Sequence, residues 1–439
     1  MNIKYLLQVS SVHLHFLKSI DNCPRKEYAT LIGYSQSNKN IQITRKLTFN
    51  DLAHNILNLL LTFIYIAPYY LYLVVPGRVY RNIMLVCSGL MMLLYLSNKR
   101  ARRYGKLRTR VMLFSVVMLG ITIIKSGDVI DCIYKIIEMF TLIFYVSMIS
   151  GKWQKIGLRL LSLYYLCLAL INDAILLYLK GSIFVGTDVN NQMNFLGTDN
   201  YIGTFLIPGM MITLYYMIKY NSLTRTKFIV CCLVYAFSVF YVNTATSIVA
   251  ISACVILFLL LYKNNSEIAN VVTYVRMLIG VFVAFVLITI FNSGIFNAFI
   301  VNVLGKTISF TGRSVLWKLS LAKFIHSPVF GYGYGNQAFD GIRFNSMASN
   351  MNSTPHSGYL TILLYGGIVL LIAFIIVLLS DVKGINKAWN FKLEVRVLSI
   401  GVVGLMIYFL AEWRFYIQGL WILLMLLEIE VLEWGKKQL

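Results

Sequence analysis

Between residues 52 and 432 the chain passes through about twelve mostly apolar runs, many close to the ~20 residues that a helix needs to cross a bilayer. They lie near 52–75, 82–97, 111–125, 133–150, 158–179, 201–219, 228–242, 245–262, 275–295, 357–380, 396–411 and 415–432. The least distinct boundaries are at Asn243 and at Glu412–Arg414, where single polar residues interrupt otherwise continuous apolar sequence. Only 13% of residues are charged, against roughly a quarter in soluble domains. A soluble core cannot absorb such an apolar excess. The expected fold is therefore all-α: a polytopic integral membrane protein with about twelve transmembrane helices.

Charge orients these runs. The chain holds 39 Lys+Arg against 17 Asp+Glu, a net charge of +22. In a soluble protein that balance would suggest nucleic acid; here it reads as the basic bias of cytoplasmic loops, with no nucleic-acid partner. Lys99, Arg100, Arg102, Arg103, Lys106, Arg108 and Arg110 follow the second run. Lys152, Lys155 and Arg159, then Lys219, Arg225 and Lys227, then Lys263, then Lys383, Lys387, Lys392 and Arg396 alternate onto the same side. The polar, basic first 51 residues and the tail at Lys436–Lys437 join them. No apolar stretch in the first 51 residues leads to a small-residue cleavage site, so they read as a cytoplasmic extension rather than a signal peptide. His13 and His15 there read as incidental, since two histidines without further ligands do not make a metal site. The seven cysteines lie mostly in apolar runs without a CxxC pair, as small core hydrophobes.

The division that results is an extension (1–51), nine helices (52–295), one large extracytoplasmic loop (296–356), and three helices with a short tail (357–439). Loops this long inside compact domains are usually functional or disordered. This one is rich in structural signals. Arg313–Phe324 mixes Leu316, Leu319, Leu321 and Phe324 with Lys318 and Lys323, which predicts an amphipathic helix on the membrane surface. Trp317 suits the headgroup level, Ser309 or Thr311 the cap, and Pro328 the stop. Arg313 would stand in the first turn, where the helix N-terminus is already positive. Two readings are open: it converges with free N–H groups on an anion, or it snorkels to lipid phosphates.

Gly331, Tyr332, Gly333, Tyr334 and Gly335 follow. They lack the Lys-Ser ending of a phosphate loop. Close backbone approach to a ligand with tyrosines as sugar-stacking faces is one reading, and a plain tight turn the other. Pro355 suits the first position of the next helix, with Thr354 or Ser353 as cap. His356 would then sit in its opening turn, where the neutral imidazole is favoured and can accept a proton from a hydroxyl; an interfacial histidine without chemistry is the alternative.

Together, "TGRSVLWKLSLAKFIHSPVFGYGYGN" and "PHSGYLTILLYGGIVLL" resemble the signature of the O-antigen polymerase and O-antigen ligase superfamily. The matching residues are Arg313, Trp317, Pro328, Gly331, Gly333, His356, Gly366 and Gly367, and "GTDNYIGTFLIP" with Asp199 and Asn200 is similar to another family segment. Two departures are that Ser357 stands where the family often has Asn, and that the earlier outer loops offer no second arginine at the usual place. Arg78, Arg81, Arg343 and Arg414 are the alternatives, while "NTATSIVAI" offers Thr246 and Ser247 instead.

The resemblance implies a membrane-embedded glycosyltransferase, class C-like, that needs no metal or other cofactor. Its donor would be a glycan on undecaprenyl pyrophosphate, at the outer face of a bacterial cytoplasmic membrane. Arg313 would stabilise the lipid pyrophosphate and His356 would serve the acceptor hydroxyl. Trp317, the Gly331–Tyr334 stretch, Asp199, Asn200, Arg343 and Arg414 would line the substrate. Asn172 and Asp173, costly near a span end, would face a polar cavity, and Glu412 with Arg414 could equally be a structural pair. The leading function is repeat-unit polymerase for O-antigen or capsule, with a flippase and a chain-length regulator as pathway partners. The runner-up is a ligase acting on a lipid or protein acceptor. A lipid-linked sugar transporter is the reading from another class; it predicts internal repeats and helices broken at the midplane, and no repeat is visible.

The charge pattern makes a topological prediction. In cysteine-replaced protein in intact cells, an impermeant thiol reagent should label single cysteines in the Gly331–Gly335 stretch and spare those at Lys99–Arg110. Labelling of the basic loop would overturn the assignment.

Overall fold

A computed structural model describes residues 49–150, 154–179, 193–262, 267–289, 313–343, 353–412 and 417–438. The predicted extension, the start of the long loop with Ser309 and Thr311, and Arg414 lie outside the described residues. The architecture is helical apart from one two-residue hairpin, β1 (Met193–Asn194) paired antiparallel with β2 (Gly197–Thr198). In chain order the helices are α1 (Phe49–Phe63), α2 (Tyr69–Val74), α3 (Gly77–Ser97), α4 (Lys106–Ile124), α5 (Val129–Met148) and α6 (Gln154–Leu179). After the hairpin come α7 (Gly203–Lys219), α8 (Arg225–Tyr241), α9 (Ala245–Leu261), α10 (Glu267–Val271), α11 (Tyr274–Thr289) and α12 (Arg313–His326). The last are α13 (Gly358–Leu378), α14 (Val382–Trp389), α15 (Leu393–Tyr408) and α16 (Gln418–Gln438).

Helix forms on every apolar run, but four helices among the described residues combine the length and apolarity of a span: Gly77–Ser97, Lys106–Ile124, Gln154–Tyr178 and Gly358–Trp389. About twelve full-length crossings are therefore not what the described residues present. Several runs make shorter helices, such as Ala245–Leu261 and Tyr274–Thr289. The run 52–75 is two helices, because Pro68 lacks an N–H and stands as cap before Tyr69. Asn243 separates α8 from α9 in the left-handed conformation, with φ 57°.

α7, α15 and α16 form the centre. Every residue from Gly203 to Tyr215 and from Val395 to Met406 is buried, as expected of helices apolar on all sides. They approach closely through small residues: a Cβ at Gly419 of α16 would stand 2.4 Å from Pro208 Cγ of α7, and one at Gly401 of α15 would stand 3.0 Å from Met211 Cβ of α7. α3, α4, α6 and α8 surround this centre with outward apolar faces, including Leu93, Val116, Leu177 and Leu233.

One end of the bundle gathers the basic loops and neutralises them. Lys106 Nζ lies 2.6 Å from Asp381 Oδ1. Glu428 accepts the backbone N–H groups of Lys106 (3.1 Å) and Leu107 (2.6 Å), so it completes the first turn of α4. Lys219 pairs with Glu430 and with Glu433. Arg110 donates to the carbonyls of Ile376 (3.1 Å) and Leu379 (2.7 Å) at the end of α13.

At the other end, the turn after α12 is spliced into a break in α13. Gly367 has φ 62° and ψ −158° inside that helix, a region essentially confined to glycine. The backbone groups freed by the break are taken by the turn. Tyr332 N–H donates to Leu364 O (2.7 Å), and Gly333 N–H to Tyr365 O (2.9 Å). Ile368 N–H donates to Pro328 O (2.9 Å). Irregular backbone at membrane depth is tolerated where protein surrounds it, and the turn provides those surroundings. A Cβ at Gly367 would stand 2.2 Å from Val329 O, and one at Gly331 2.5 Å from Leu364 O.

Gly367→Ala should therefore lower the thermal midpoint in detergent, losing about 1–3 kcal/mol from the backbone conformation alone. Gly120→Ala, where an added Cβ meets nothing within 4 Å, should leave the midpoint unchanged or raise it. Equal midpoints for both variants would refute the splice as a determinant of stability.

Candidate active site

α12 turns one face inward. Arg313, Leu316, Trp317 and Ser320, at i, i+3, i+4 and i+7, are its buried residues, and it packs against α13 and α11. Val315, Leu319 and Ile325 point outward. Trp317 is thus in the interior, not at a headgroup level as expected from its aromatic character. His326 ends the helix just before Pro328, as that proline predicted.

Arg313 is buried, and its guanidinium meets groups from distant parts of the chain. Nη2 lies 2.9 Å from Glu412 Oε1, and Nη1 donates to Thr246 Oγ1 at 3.2 Å. Glu412, which could have been a structural pair with Arg414, thus has Arg313 as a partner; Arg414 lies outside the described residues. Thr246 lies in the first turn of α9, and Glu412 follows the end of α15.

The contacts continue around a ring. A Cβ at Gly203, the first residue of α7, would meet Ser247 Oγ at 2.5 Å and Tyr408 Cε2 at 2.7 Å. The Tyr408 hydroxyl donates to the backbone carbonyl of Asn200. Phe409 O accepts the Gly358 N–H at 2.9 Å. Four helix starts, of α7, α9, α12 and α13, therefore meet one helix end, that of α15. Helix N-termini carry partial positive charge and free N–H groups, so the assembly favours an anion.

His356 stands at the edge of this ring. α13 begins at Gly358 with Ser357 as its cap residue, so Pro355 does not open the helix and His356 precedes it by two positions. The physical reason is backbone: His356 has φ 46°, a left-handed conformation that no helix turn accommodates. Burial, then the nearby Arg313 charge, hold the imidazole well below its ordinary range, at about 4. The neutral form expected from the sequence is present, but burial and a guanidinium cause it rather than a helix terminus. Among the described residues its buried Nδ1 takes no partner, and neither do Thr244 Oγ1, Ser247 Oγ and Ser357 Oγ. Neither Thr244 nor Ser357 uses its hydroxyl to cap its own helix. Ser247 follows Thr246 in the chain, and Ser357 precedes Gly358, where an added Cβ would stand 3.3 Å from Glu412 O, so these groups belong to the residues next to the ion pair.

The other predicted residues are placed as follows. Gly331 and Gly333 serve the splice: Gly331 faces the α13 break, and Gly333 fits against Lys125 and Thr122 at the end of α4. Their need for glycine is met by protein backbone, without a ligand. Tyr334 cannot offer a sugar-stacking face, because it is buried with its ring 4.8 Å from that of Tyr365. The Tyr332 hydroxyl donates to Lys323 O (2.7 Å), and the Lys323 ammonium lies over its ring. Asp199 accepts from Asn194 Nδ2 at 3.2 Å, steadying the hairpin, and Asn200 adjoins the ring through its carbonyl. Asn172 and Asp173 bond Ser238, and Asn172 also accepts the Leu196 N–H. They brace the hairpin and α8 and are not part of the Arg313 ring.

Of the four candidates for a second cation, Arg414 lies outside the described residues, and Arg78 and Arg343 are exposed. Arg81 lies 3.8 Å from Asp131. Among the described residues, no three His, Cys, Asp or Glu side chains gather so as to hold a metal ion. Reading the sequence missed Glu412 as the partner of Arg313, and Tyr408 altogether. The available signal was a carboxylate interrupting an apolar run.

A family model described as O-antigen ligase matches residues 230–375, which take in α9, α11, α12, the splice, His356 and most of α13. No curated protein and no solved structure matches the chain. The matched segment, about a third of the chain, carries Arg313, Gly331, Gly333, His356, Gly366 and Gly367, and supports the resemblance to the O-antigen polymerase and ligase superfamily.

Proposed function

We propose that the protein is a polysaccharide repeat-unit polymerase. It joins oligosaccharides carried on a lipid pyrophosphate, at the outer face of a bacterial cytoplasmic membrane, without a metal. The observation that carries this reading is the meeting of a buried arginine and a neutral histidine where four helix N-termini converge. The superfamily implies glycan transfer from a lipid-linked substrate. Ligation to a different acceptor uses the same groups and remains the second reading, favoured by the description of the matching family.

The chemistry requires a leaving group to be stabilised and a proton to be removed. The acceptor hydroxyl oxygen bonds to the anomeric carbon as the bond from that carbon to the phosphate oxygen breaks. Charge develops on the departing pyrophosphate. The Arg313 guanidinium, whose planar fork fits phosphate oxygens, meets it in a site largely closed to water. The hydroxyl proton passes to the neutral His356 imidazole. General-base help of this kind is typically worth about 10²–10⁴ in rate. The left-handed backbone of His356, uncommon for a residue with a Cβ, is the sort of local strain that persists at functional sites.

Arg313→Ala should abolish polymer while the protein remains in the membrane. Arg313→Lys should recover little, because an ammonium lacks the fork; full activity in the lysine variant would reassign Arg313 to the lipid surface. His356→Ala should lose about 10²–10⁴ in kcat with donor binding retained. His356→Gln, which cannot take up the proton, should not restore it. A depressed histidine loses its basic form only as pH falls through its lowered value, so the acid limb of kcat/KM should lie near 4 rather than near 6.5. A chelator should leave the rate unchanged. Gene deletion separates the two transfer reactions: single repeats on the final acceptor indicate a polymerase, and long chains stranded on carrier lipid a ligase.

A further inference from the structure

Glu412 has no assigned part in this chemistry, yet it holds the group the donor would need. We propose that Glu412 is an exchangeable counter-ion. It occupies Arg313 in the free enzyme, hands it to the phosphate of the donor, and so sets donor affinity as a positioning residue. This rests on the reading of Arg313 as the pyrophosphate ligand.

The first argument is electrostatic. The two side chains are only 9% and 8% exposed. A guanidinium so placed needs an anion, since an unpaired buried charge is strongly unfavourable. Before donor binds, Glu412 is that anion. A carboxylate and a phosphate present oxygens that the same guanidinium fork accepts. Both cannot remain at once, because like charges at this range repel.

The second argument is mechanical. Glu412 lies beyond the end of α15, outside any helix. Its backbone neighbourhood is fixed: Phe409 O accepts the Gly358 N–H at 2.9 Å, and Tyr408 bonds the Asn200 carbonyl. Its carboxylate can therefore leave Arg313 by side-chain rotation alone. Arg313 meanwhile keeps its bond to Thr246 at 3.2 Å, which holds the guanidinium in place while its anion changes.

The third argument is location. A pair that only joined helices would be expected among satisfied groups, as Lys219 is with Glu430 and Glu433 at the opposite end. This pair instead lies beside the residues next to Thr246 and Gly358, namely Ser247 and Ser357, whose buried hydroxyls, like the His356 Nδ1, take no partner among the described residues. These are the groups that an incoming phosphate or sugar hydroxyl would engage.

The test is calorimetric titration of inorganic pyrophosphate into full-length protein in nanodiscs, followed by steady-state kinetics with the lipid-linked donor. Glu412→Gln keeps a hydrogen-bond acceptor for Arg313 but removes the competing charge. Charged hydrogen bonds are roughly twice as strong as neutral ones, so this variant should bind pyrophosphate about tenfold tighter. KM for the donor should fall by a similar factor while kcat does not rise. Glu412→Asp, shorter by one methylene, should shift affinity the same way by less, and serves if the glutamine variant does not accumulate. Arg313→Ala should lose pyrophosphate binding in either background. Unchanged or weaker binding in a folded Glu412→Gln protein, with Arg313→Ala still inactive in binding, would overturn the exchange and leave the role of Arg313 intact. Wild-type binding in Arg313→Ala would instead remove the arginine reading itself, and the exchange with it.

Discussion

The geometry of the site depends on the splice between the Pro328–Gly333 turn and the break in α13. That helix begins two residues after His356, and α12 begins with Arg313. The two chemistries would otherwise sit on separate elements with independent freedom. The turn ends α12 and, within a few residues, inserts its N–H and C=O groups among Leu364, Tyr365 and Ile368. Lys323 adds to this, donating to the carbonyls of Gln337 (3.0 Å) and Asp340 (2.6 Å). The turn is anchored on its far side too: Tyr334 O accepts the Asp128 N–H at 2.7 Å. A break in a membrane helix leaves polar backbone that lipid cannot satisfy. Here that requirement becomes the device that fixes the element carrying Arg313 on the one that follows His356.

Burial then determines the electrostatics. Arg313 is held by Thr246 and Glu412 in a place that charge does not enter without partners. Burial, with the field of Arg313 added to it, keeps His356 neutral. On the proposed reading, occupation of Arg313 by a phosphate would weaken the smaller of these two effects, so the imidazole would become a stronger base when the donor arrives. Donor binding and base strength would then be coupled through a single charge.

Much of this was legible in local sequence. Apolar runs marked the helices, because backbone in lipid has few alternatives. Pro328 marked the end of α12, and the alternating glycines with Gly366–Gly367 marked positions needing unusual backbone. Their mutual fit was not legible, since some thirty residues separate the turn from the break, so the glycines read equally as a ligand cradle or a plain tight turn. Trp317 read as an interfacial aromatic because its composition fits that role; only the inward face shared with Arg313 decides otherwise. Pro355 suggested a helix start by a local rule, and the left-handed backbone of His356 delays that start to Gly358, whose N–H donates to Phe409 O. Glu412 is 99 residues from its partner, and no local rule chooses between Arg414, two positions away, and Arg313.

The two ends of the bundle solve opposite problems. At one end, Glu428, Glu430 and Glu433 from α16 meet Lys219 and the first turn of α4, while Asp381 meets Lys106. Charges there are matched and the first turn of α4 is closed by Glu428, which favours rigidity. At the other end, the cap residues Thr244 and Ser357 leave their own helices without side-chain caps, and one ion pair serves four converging N-termini. Capping by such side chains is ordinarily worth about 1 kcal/mol each. At these two helix starts the hydroxyls of Thr244 and Ser357 take no partner among the described residues, so polar capacity is kept beside Arg313, where a ligand would draw on it.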